Sequence, residues 1–591
     1  MPFDSIVRRL FEQARNRPEA AAFYAKSGGA YRATRYREYA DIVRRAAKSL
    51  RALGVDQGKA ACILGFNRPE WVICHVATRA AGGAAAGIYT SCSAEEVAYI
   101  VNHAEAPVVL VENQAQFDKI KRETDKLPLL KHVVFMQGAP KIDDPRALTW
   151  EEFLAKGDSV PTSEIDNTVD AIEPAGLATL IYTSGTTGPP KGVMLSHQNL
   201  SWTAGVARQL VDSRPDDRTL SYLPLAHIAE QMFTIHGAIT AGYAVYFAES
   251  LEKVPENLKE VEPTLFFGVP RIWEKFHSGI SGKMATATGA KKLIAERALA
   301  VGRQVSDIRN RGEAPGLALQ AQYRIFNKLV YSKVKPAIGL GKVRVCVSGA
   351  APIAKEVLEF FSGLDITVLE VYGQSEDTGP TSFNRPGKTK FGSVGPIIPG
   401  VTVKIAEDGE ILVKGPNVFL GYYKEPEATA ETLKDGWLYS GDLGAIDPDG
   451  FLSITGRKKE IIITSGGKNI TPANIEGAIK NHPLVSEAVV IGDRRKYLTA
   501  LVTLDPDAAK KFCQDNGISE EPHKSAAVKA DVQKAIDQVN TTLAKVETIK
   551  KFTILPRAFT VETGELTPSL KVKRRVVAKN FADEIEAMYV E

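Results

Sequence analysis

At 591 residues the chain exceeds what a single core usually organises, so two or more domains are expected. Hydrophobic residues at 44% and charged residues at 24% fit an ordinary soluble globular protein, and a net charge of +4 is too small at this size to argue for nucleic acid. Five scattered cysteines (Cys62, Cys74, Cys92, Cys346 and Cys513) form no C-x-x-C pair, which argues against a disulfide framework or zinc site and for a reducing compartment.

The N-terminal stretch carries charges inside every apolar run, so it reads as neither signal peptide nor membrane span. Ile6, Leu10, Phe11 and Ala14 share one helical face, expected to dock on the chain's own domain. From about residue 20 to 380, short apolar runs alternate with amphipathic segments, the pattern of a doubly wound α/β fold. Ala60–Leu64, Pro107–Val111 and His132–Phe135 are typical strands, and Gln116–Leu127 is a typical helix. One apolar run, Leu177–Ile181, leads into Tyr182-Thr-Ser-Gly-Thr-Thr-Gly-Pro-Pro-Lys-Gly192. Small hydroxyl-bearing residues and glycines after a strand favour a turn whose backbone N–H groups converge on an anion, and Lys191 adds a mobile positive charge. By composition alone such a cluster is a surface loop. Its Gly185-x-x-Gly188-x-x-Lys191 spacing is not that of a P-loop. The stretch resembles the phosphate-binding signature of the acyl-adenylate-forming superfamily, which includes acyl-CoA synthetases, luciferases and peptide-synthetase adenylation domains. The resemblance implies that Thr183, Ser184, Gly185, Thr186, Thr187, Gly188 and Lys191 hold ATP phosphates.

Further motifs follow in the order that superfamily uses. A lone histidine such as His227, in Ser221-Tyr-Leu-Pro-Leu-Ala-His-Ile-Ala-Glu230, is more often structural than functional. The resemblance places it against the substrate carboxylate, positioning acyl substrate without transferring a proton. Thr264–Glu274 reads as a core strand running into a helix, with Phe266 and Phe267 as core. Its Val-Pro-Arg-Ile-Trp order resembles long-chain acyl-CoA synthetases, which implies Trp273 as a gate on the fatty-acid tunnel. Residues 280–320, rich in Ala, Lys and Arg, read as long solvated helices without chemistry. Val345–Pro352 ends a strand in small residues against which a flat base can lie, though a tight strand–helix turn would look the same. In Val368–Glu376 an aromatic suits adenine stacking and a strand-end carboxylate suits Mg²⁺. The resemblance puts Gly349, Ala350, Ala351, Tyr372 and Gly373 at the adenine side, Gln374 and Ser375 near the acyl-phosphate, and Glu376 at the metal.

From about 392 to 456 the texture becomes alternating strands broken by Asp408-Gly409, Asp435-Gly436 and Asp449-Gly450, which predicts a small β subdomain. Asp442 and Arg457 match the family's ribose-binding pair, and Lys459 falls at its hinge. A mobile α+β C-terminal domain is expected over 457–591, after an N-terminal domain over 1–456, with Asp507–Lys550 as a helical elaboration. The loop Ser465–Glu476 enters a helix with Thr471 as N-cap and Pro472 in the first turn. In CoA-ligating relatives the matching loop enters the site for thioester formation, which implies that role for Gly466 and Gly467. In Gly564–Arg575 the spacing from Thr567 favours Lys571 over Lys573 as the catalytic lysine, although Leu570 stands where the family usually has glycine.

Taken together, the sequence is similar to long-chain fatty acyl-CoA synthetases over nearly its whole length. The resemblance implies ATP, Mg²⁺ and coenzyme A as cofactor and co-substrates, and Lys571, Thr183, Glu376 and His227 as the chemical centre. It also implies a cytoplasmic monomer or homodimer, with peripheral membrane contact left open. Two alternatives stand beside it: a fatty acyl-AMP ligase serving a carrier protein, and a non-catalytic acyl-nucleotide sensor. No carrier domain or its Asp/Gly-Ser attachment motif follows Lys571, and Lys191, Glu376 and Lys571 are all present, which argues against each in turn.

Overall fold

The computed structural model describes residues 3–140, 142–183 and 188–590. The buried apolar runs become the centre of an eight-stranded sheet. Ala60–Leu64 lies parallel between Ala84–Ile88 and Val108–Val111, and His132–Phe135 extends the row. Every residue of Ala60–Leu64 and Ala84–Ile88 is buried, as strands covered by helices on both faces must be. The intervening helices start where sequence chemistry says they should. Ala94–His103, for example, opens on a Ser93/Glu96 capping box. On the other side of the sheet, Leu177–Thr183 runs parallel to Ala84–Ile88, and the chain then returns antiparallel as Lys191–Ser196. The glycine-rich stretch therefore joins a hairpin, with Thr183 directly opposite Lys191.

Two four-stranded sheets complete the α/β part. In one, Leu265–Gly268, Val345–Ser348 and Val368–Tyr372 are parallel, and Ser382–Phe383 is added antiparallel. In the other, Arg218–Ser221, Ala244–Phe247 and Ala21–Ser27 are parallel. The N-terminal helix Ile6–Asn16 buries Ile6, Val7 and Leu10 in the same core as these sheets, so it docks on its own chain as expected.

The alternating region forms a five-stranded sheet that includes Thr402–Ile405, Glu410–Lys414, Trp437–Ile446 and Leu452–Arg457, paired antiparallel. Asp435 and Gly436 both have left-handed backbone (φ 52° and 76°), the geometry of a two-residue primed turn. Beyond it, Val485–Ile491, Leu498–Leu504 and Ile549–Ile554 make a three-stranded sheet with its own apolar cluster. The helices Pro506–Asp515 and Ala526–Asn540 lie within the stretch expected to be helical. The stretch 280–320 expected to be solvated helix contains Gly289–Asn310, with the end of Pro270–Ala285 before it and the start of Leu317–Phe326 after it; Gly289–Asn310 buries Ala298, Val301 and Val305.

Candidate active site

Many of the named residues converge where parallel strands end, the usual ligand crevice of open α/β sheets. Val368–Tyr372 delivers Tyr372, whose hydroxyl donates to Asp442 Oδ2 at 2.9 Å. The Gln374 amide donates to the same oxygen at 2.7 Å and to the Ser440 carbonyl at 2.8 Å. Arg457 Nε lies 3.3 Å from the other oxygen of Asp442. These bonds tie the strand end to the five-stranded sheet. Gly373 cannot be replaced, because a Cβ there would overlap the Gly379 carbonyl oxygen. Ala350 holds φ 69°, a conformation rare for alanine, while Gly349 packs so tightly on Val371 that a Cβ would collide with it. Ala351 is exposed at the same turn, and Ser375 is buried beside Glu376.

Glu376 Oε1 accepts a 2.8 Å hydrogen bond from the Tyr422 hydroxyl. Tyr422 sits on Gly421–Tyr422, a short strand paired with Val193 and Met194. Lys191 Nζ lies 5.0 Å over the Tyr422 ring and 3.8 Å from Glu425. One tyrosine therefore connects the Thr183–Lys191 hairpin to Glu376. Gly188 is left-handed, at φ 88°. Ser184, Gly185, Thr186 and Thr187 lie outside the described residues.

The loop that carries Lys571 closes on itself and on the N-terminal part of the chain. Thr567 accepts the Lys571 N–H on its Oγ1 at 2.9 Å, and Ser91 Oγ donates to the Pro568 carbonyl at 2.8 Å. Lys571 still reaches the open cleft, yet crowding by protein lowers its ammonium pKa. Arg457 lowers it further, whereas Asp442, Glu376 and Glu460 oppose the shift. Lys571 thus lies among charges of the strand ends, whereas Lys573 is the N-cap of the helix Arg574–Asn580. Leu570 is held at φ 62°, which explains why glycine would be at home there. The backbone N–H of Ala229 donates to His227 Nδ1 at 3.1 Å, leaving Nε2 as the proton-bearing nitrogen of the neutral ring. Burial and nearby Lys571 push the His227 pKa down to about 4, so the imidazole is neutral near pH 7.

From His227, Ala350, Gly373 and Gln374 a cavity runs toward Arg208, Val211 and Ser213. Its walls include Met232, Phe233, Tyr243 and Phe267, so it is an apolar slot with a polar mouth. The Phe233 and Phe267 rings stack at 5.0 Å. A π-turn at Met232–His236 shapes one wall, and Tyr243 donates to the Phe233 carbonyl at 2.6 Å.

The AMP-binding enzyme family matches residues 10–423, and the AMP-binding enzyme C-terminal domain matches residues 459–591. The chain belongs to the AMP-binding enzyme family. It is 39% identical to the long-chain-fatty-acid–CoA ligase ACSBG2 of Xenopus laevis, over 99% of this chain and 83% of that one. Identity to the long-chain-fatty-acid–CoA ligase FadD15 of Mycobacterium bovis is 37%, over 99% and 97% of the two chains. In fold, the anthranilate CoA ligase AuaEII in complex with anthranoyl-AMP superposes with a TM-score of 0.75 at 20% identity, covering 99% of both chains. ATP-bound MatB from Rhodopseudomonas palustris gives 0.70 at 24%, likewise over 99% of both.

Set against this family site, two sequence expectations change. Trp273 is fully buried among Phe266, Phe276 and Phe361, and its indole N–H donates to the Gly268 carbonyl at 3.0 Å. Successive side chains of Leu265–Gly268 point to opposite faces. Phe267 and Leu265 therefore line the cavity, while Phe266 points the other way toward Trp273. Trp273 stands on the face of the strand away from the cavity and is not among its lining residues, so the cavity lends the expected gate no support. Phe267, read as plain core, is a wall residue. Lys459 is exposed beside Lys458, which bonds Asp408 and Glu410 at 2.5 and 2.9 Å. Gly466 and Gly467 are exposed, away from the bonds just described.

Two buried carboxyls escaped the sequence reading. Glu230 accepts from Ser221, Thr234 and Asn67, and burial raises its pKa to about 7. It braces the loop that carries His227. Asp377 accepts from Thr381 and from the Gln374 N–H, and burial raises it to about 8. Glu230 ends the His227 stretch and Asp377 follows Glu376, but neither position carries a periodic signal, so only the fold reveals these braces. Among the described residues no cluster of three His, Cys, Asp or Glu side chains could hold a metal. Glu376 alone nevertheless fits Mg²⁺, which commonly takes one protein carboxylate together with substrate phosphates and water.

Proposed function

We propose that this protein is an ATP-dependent long-chain fatty acid–CoA ligase working through an acyl-adenylate. Its kinship with long-chain-fatty-acid–CoA ligases over 99% of the chain supports this, and the apolar cavity opening at His227 and Gln374 carries it. A carboxylate is a poor acyl donor because its leaving group would be oxide. Attack of a carboxylate oxygen on the α-phosphorus of ATP expels pyrophosphate and leaves acyl-AMP. CoA thiol then attacks the acyl carbonyl, and AMP departs with the electron pair of the broken C–O bond.

Two anions must meet in the first step, so fixed positive charge is worth most there. Lys571 approaches from one side and Lys191 from the hairpin on the other. Thr183 and the loop after it bind phosphate. Mg²⁺ held by Glu376 and the ATP phosphates would supply further neutralisation. Tyr372, with Gly349, Ala350, Ala351 and Gly373, receives the adenine, Asp442 and Arg457 take the ribose, and Gln374 with Ser375 faces the acyl-phosphate. His227, neutral, orients the acyl carboxylate. For the second step residues 457–591 turn on Lys459, so that Lys571 leaves and the Gly466–Gly467 loop arrives. All five cysteines are buried, which agrees with CoA supplying the only thiol.

The protein is read as cytoplasmic, a monomer or homodimer. Among the described residues no helix is long and apolar enough to cross a membrane. Peripheral contact with a bilayer accompanies a substrate that partitions into lipid. AMP release from ATP with fatty acids from hexanoate to stearate, with and without CoA, tests the reading. Turnover that needs CoA and peaks from myristate to stearate is expected. Acyl-AMP accumulating without response to CoA would move the assignment to a carrier-protein ligase, and silence at every chain length would favour a sensor.

A further inference from the structure

The helix Leu317–Phe326, continued by the π-helix Asn327–Tyr331, turns several of its aliphatic side chains to solvent. No residue of Leu317–Phe326 is buried. Exposed positions recur as Leu317 and Ala318, Ala321, Arg324 and Ile325, then Lys328 and Leu329, a helical face by spacing. That outward face is aliphatic, with cations interleaved and no acid. Leu317 is 86% exposed, Ile325 56% and Leu329 45%. The inner side is mixed: Leu319, Phe326 and Val330 are half-buried beside Gln320, Gln322 and Asn327, and Tyr323 donates to Asp365 at 2.9 Å. The Tyr331 hydroxyl donates to the Ala298 carbonyl, which brings the first half of Gly289–Asn310 alongside. That half exposes Leu293 and Ile294 directly after Lys291 and Lys292, with Glu296 as the nearby acid.

The charge is as one-sided as the exposure. From Ala314 to Lys355 there is no Asp or Glu, but there are seven Lys or Arg. Four of these are paired elsewhere: Lys335 with Asp365, Lys342 with Glu262, Arg344 with Asp217 and Lys355 with Glu359. Arg324, Lys328 and Lys333, on or beside the apolar face, pair with no carboxylate among the described residues. A water-facing helix would put its aliphatics inside. One resting on a protein partner would gain little from cations that all face outward with no opposing acids. An interleaved aliphatic and cationic face suits an anionic lipid surface, where leucines enter the acyl boundary and cations meet phosphates.

We propose that the face formed by Leu317, Arg324, Ile325, Lys328, Leu329 and Lys333 docks the protein on anionic lipid bilayers. The inference rests on the peripheral membrane contact of the preceding reading and names the surface that makes it.

The test is flotation of the full chain with vesicles of phosphatidylcholine alone or with about 30 mol% phosphatidylglycerol. Two variants accompany it: Arg324→Glu/Lys328→Glu/Lys333→Glu and Leu317→Ser/Ile325→Ser/Leu329→Ser. Ligase activity on monodisperse fatty acid and circular dichroism are measured in parallel. The proposal expects wild-type binding to anionic vesicles, weakening with salt, and at least tenfold weaker binding in each variant with spectrum and soluble activity unchanged. No wild-type binding, equal binding to neutral vesicles, or variants that bind like wild type would overturn it. So would wild-type dimers dissolved by either variant, since the face would then join two copies. Soluble activity separates the two readings: an active ligase that ignores vesicles sinks the docking surface alone. A protein that binds vesicles through this face but activates no fatty acid sinks the ligase reading alone.

Discussion

Two loops of the last 135 residues carry the proposed half-reactions, and the structure treats them oppositely. The Lys571 loop is locked in place: Leu566 bridges Val572, Thr567 receives the Lys571 N–H, and Ser91 reaches across to Pro568. The Gly466 loop stands in solvent from Ser465 to Asn469, held by its own turn from the Thr464 N–H to the Lys468 carbonyl and by Ser465 to Arg495. One loop is bound to the opposite part of the chain and the other only to its own neighbourhood. The arrangement therefore corresponds to the proposed adenylate-forming step, and a shared pocket can run two reactions only if the loops exchange.

The comparison breaks most clearly at the lysine. Lys571→Ala should slow adenylation by about 10²–10³, the scale of losing one fixed group that stabilises developing charge. Thioester formation from supplied acyl-AMP should stay within about threefold, because Lys571 is then expected to be outside the site. Equal losses in both half-reactions, measured separately, would end the division of labour. The mirror experiment is smaller. Gly467 has φ 72°, so Gly467→Val forces a β-branched residue into a left-handed turn. Thioester formation should fall on the order of tenfold while pyrophosphate release is unchanged. The smallest effect sharpens the charge assignments. Loss of the Lys571 proton removes the positive charge, so adenylation should fall with rising pH at a point below the ordinary lysine range. His227, with its pKa near 4, should contribute no titration between pH 6 and 8. A limb near pH 6.5 abolished by His227→Gln would contradict a neutral positioning role.

Much of this was legible in the sequence because the signals are local. Ala60–Leu64, His132–Phe135 and Glu410–Lys414 are strands at the residues their apolar runs or alternation mark. Tyr372, Gln374, Asp442, Arg457 and Lys571 are brought together although some two hundred residues separate the first from the last. Motif order carried that information. What sequence could not supply is which face of a strand looks at the cavity. Phe266 and Phe267 are adjacent and identical, yet one packs on Trp273 and the other lines the tunnel. The aliphatic outer face of Leu317–Phe326 escaped for a related reason: its periodicity is visible, but which side faces water depends on Asp365 and Ala298, distant in sequence.

Leu570 gives the lysine loop a mechanical character. A side chain other than glycine in the left-handed region costs roughly 1–2 kcal/mol, so the docked loop is a loaded spring beside the group it delivers. A loop that relaxes Leu570 to negative φ on leaving the cleft recovers that energy, shifting the ratio of withdrawn to docked forms by about 5–30-fold. Thr567 and Ser91 offset that cost in the docked loop, and ligand contacts would add to the clamp. In the proposed cycle, loss of pyrophosphate would then let that recoil favour withdrawal of the lysine.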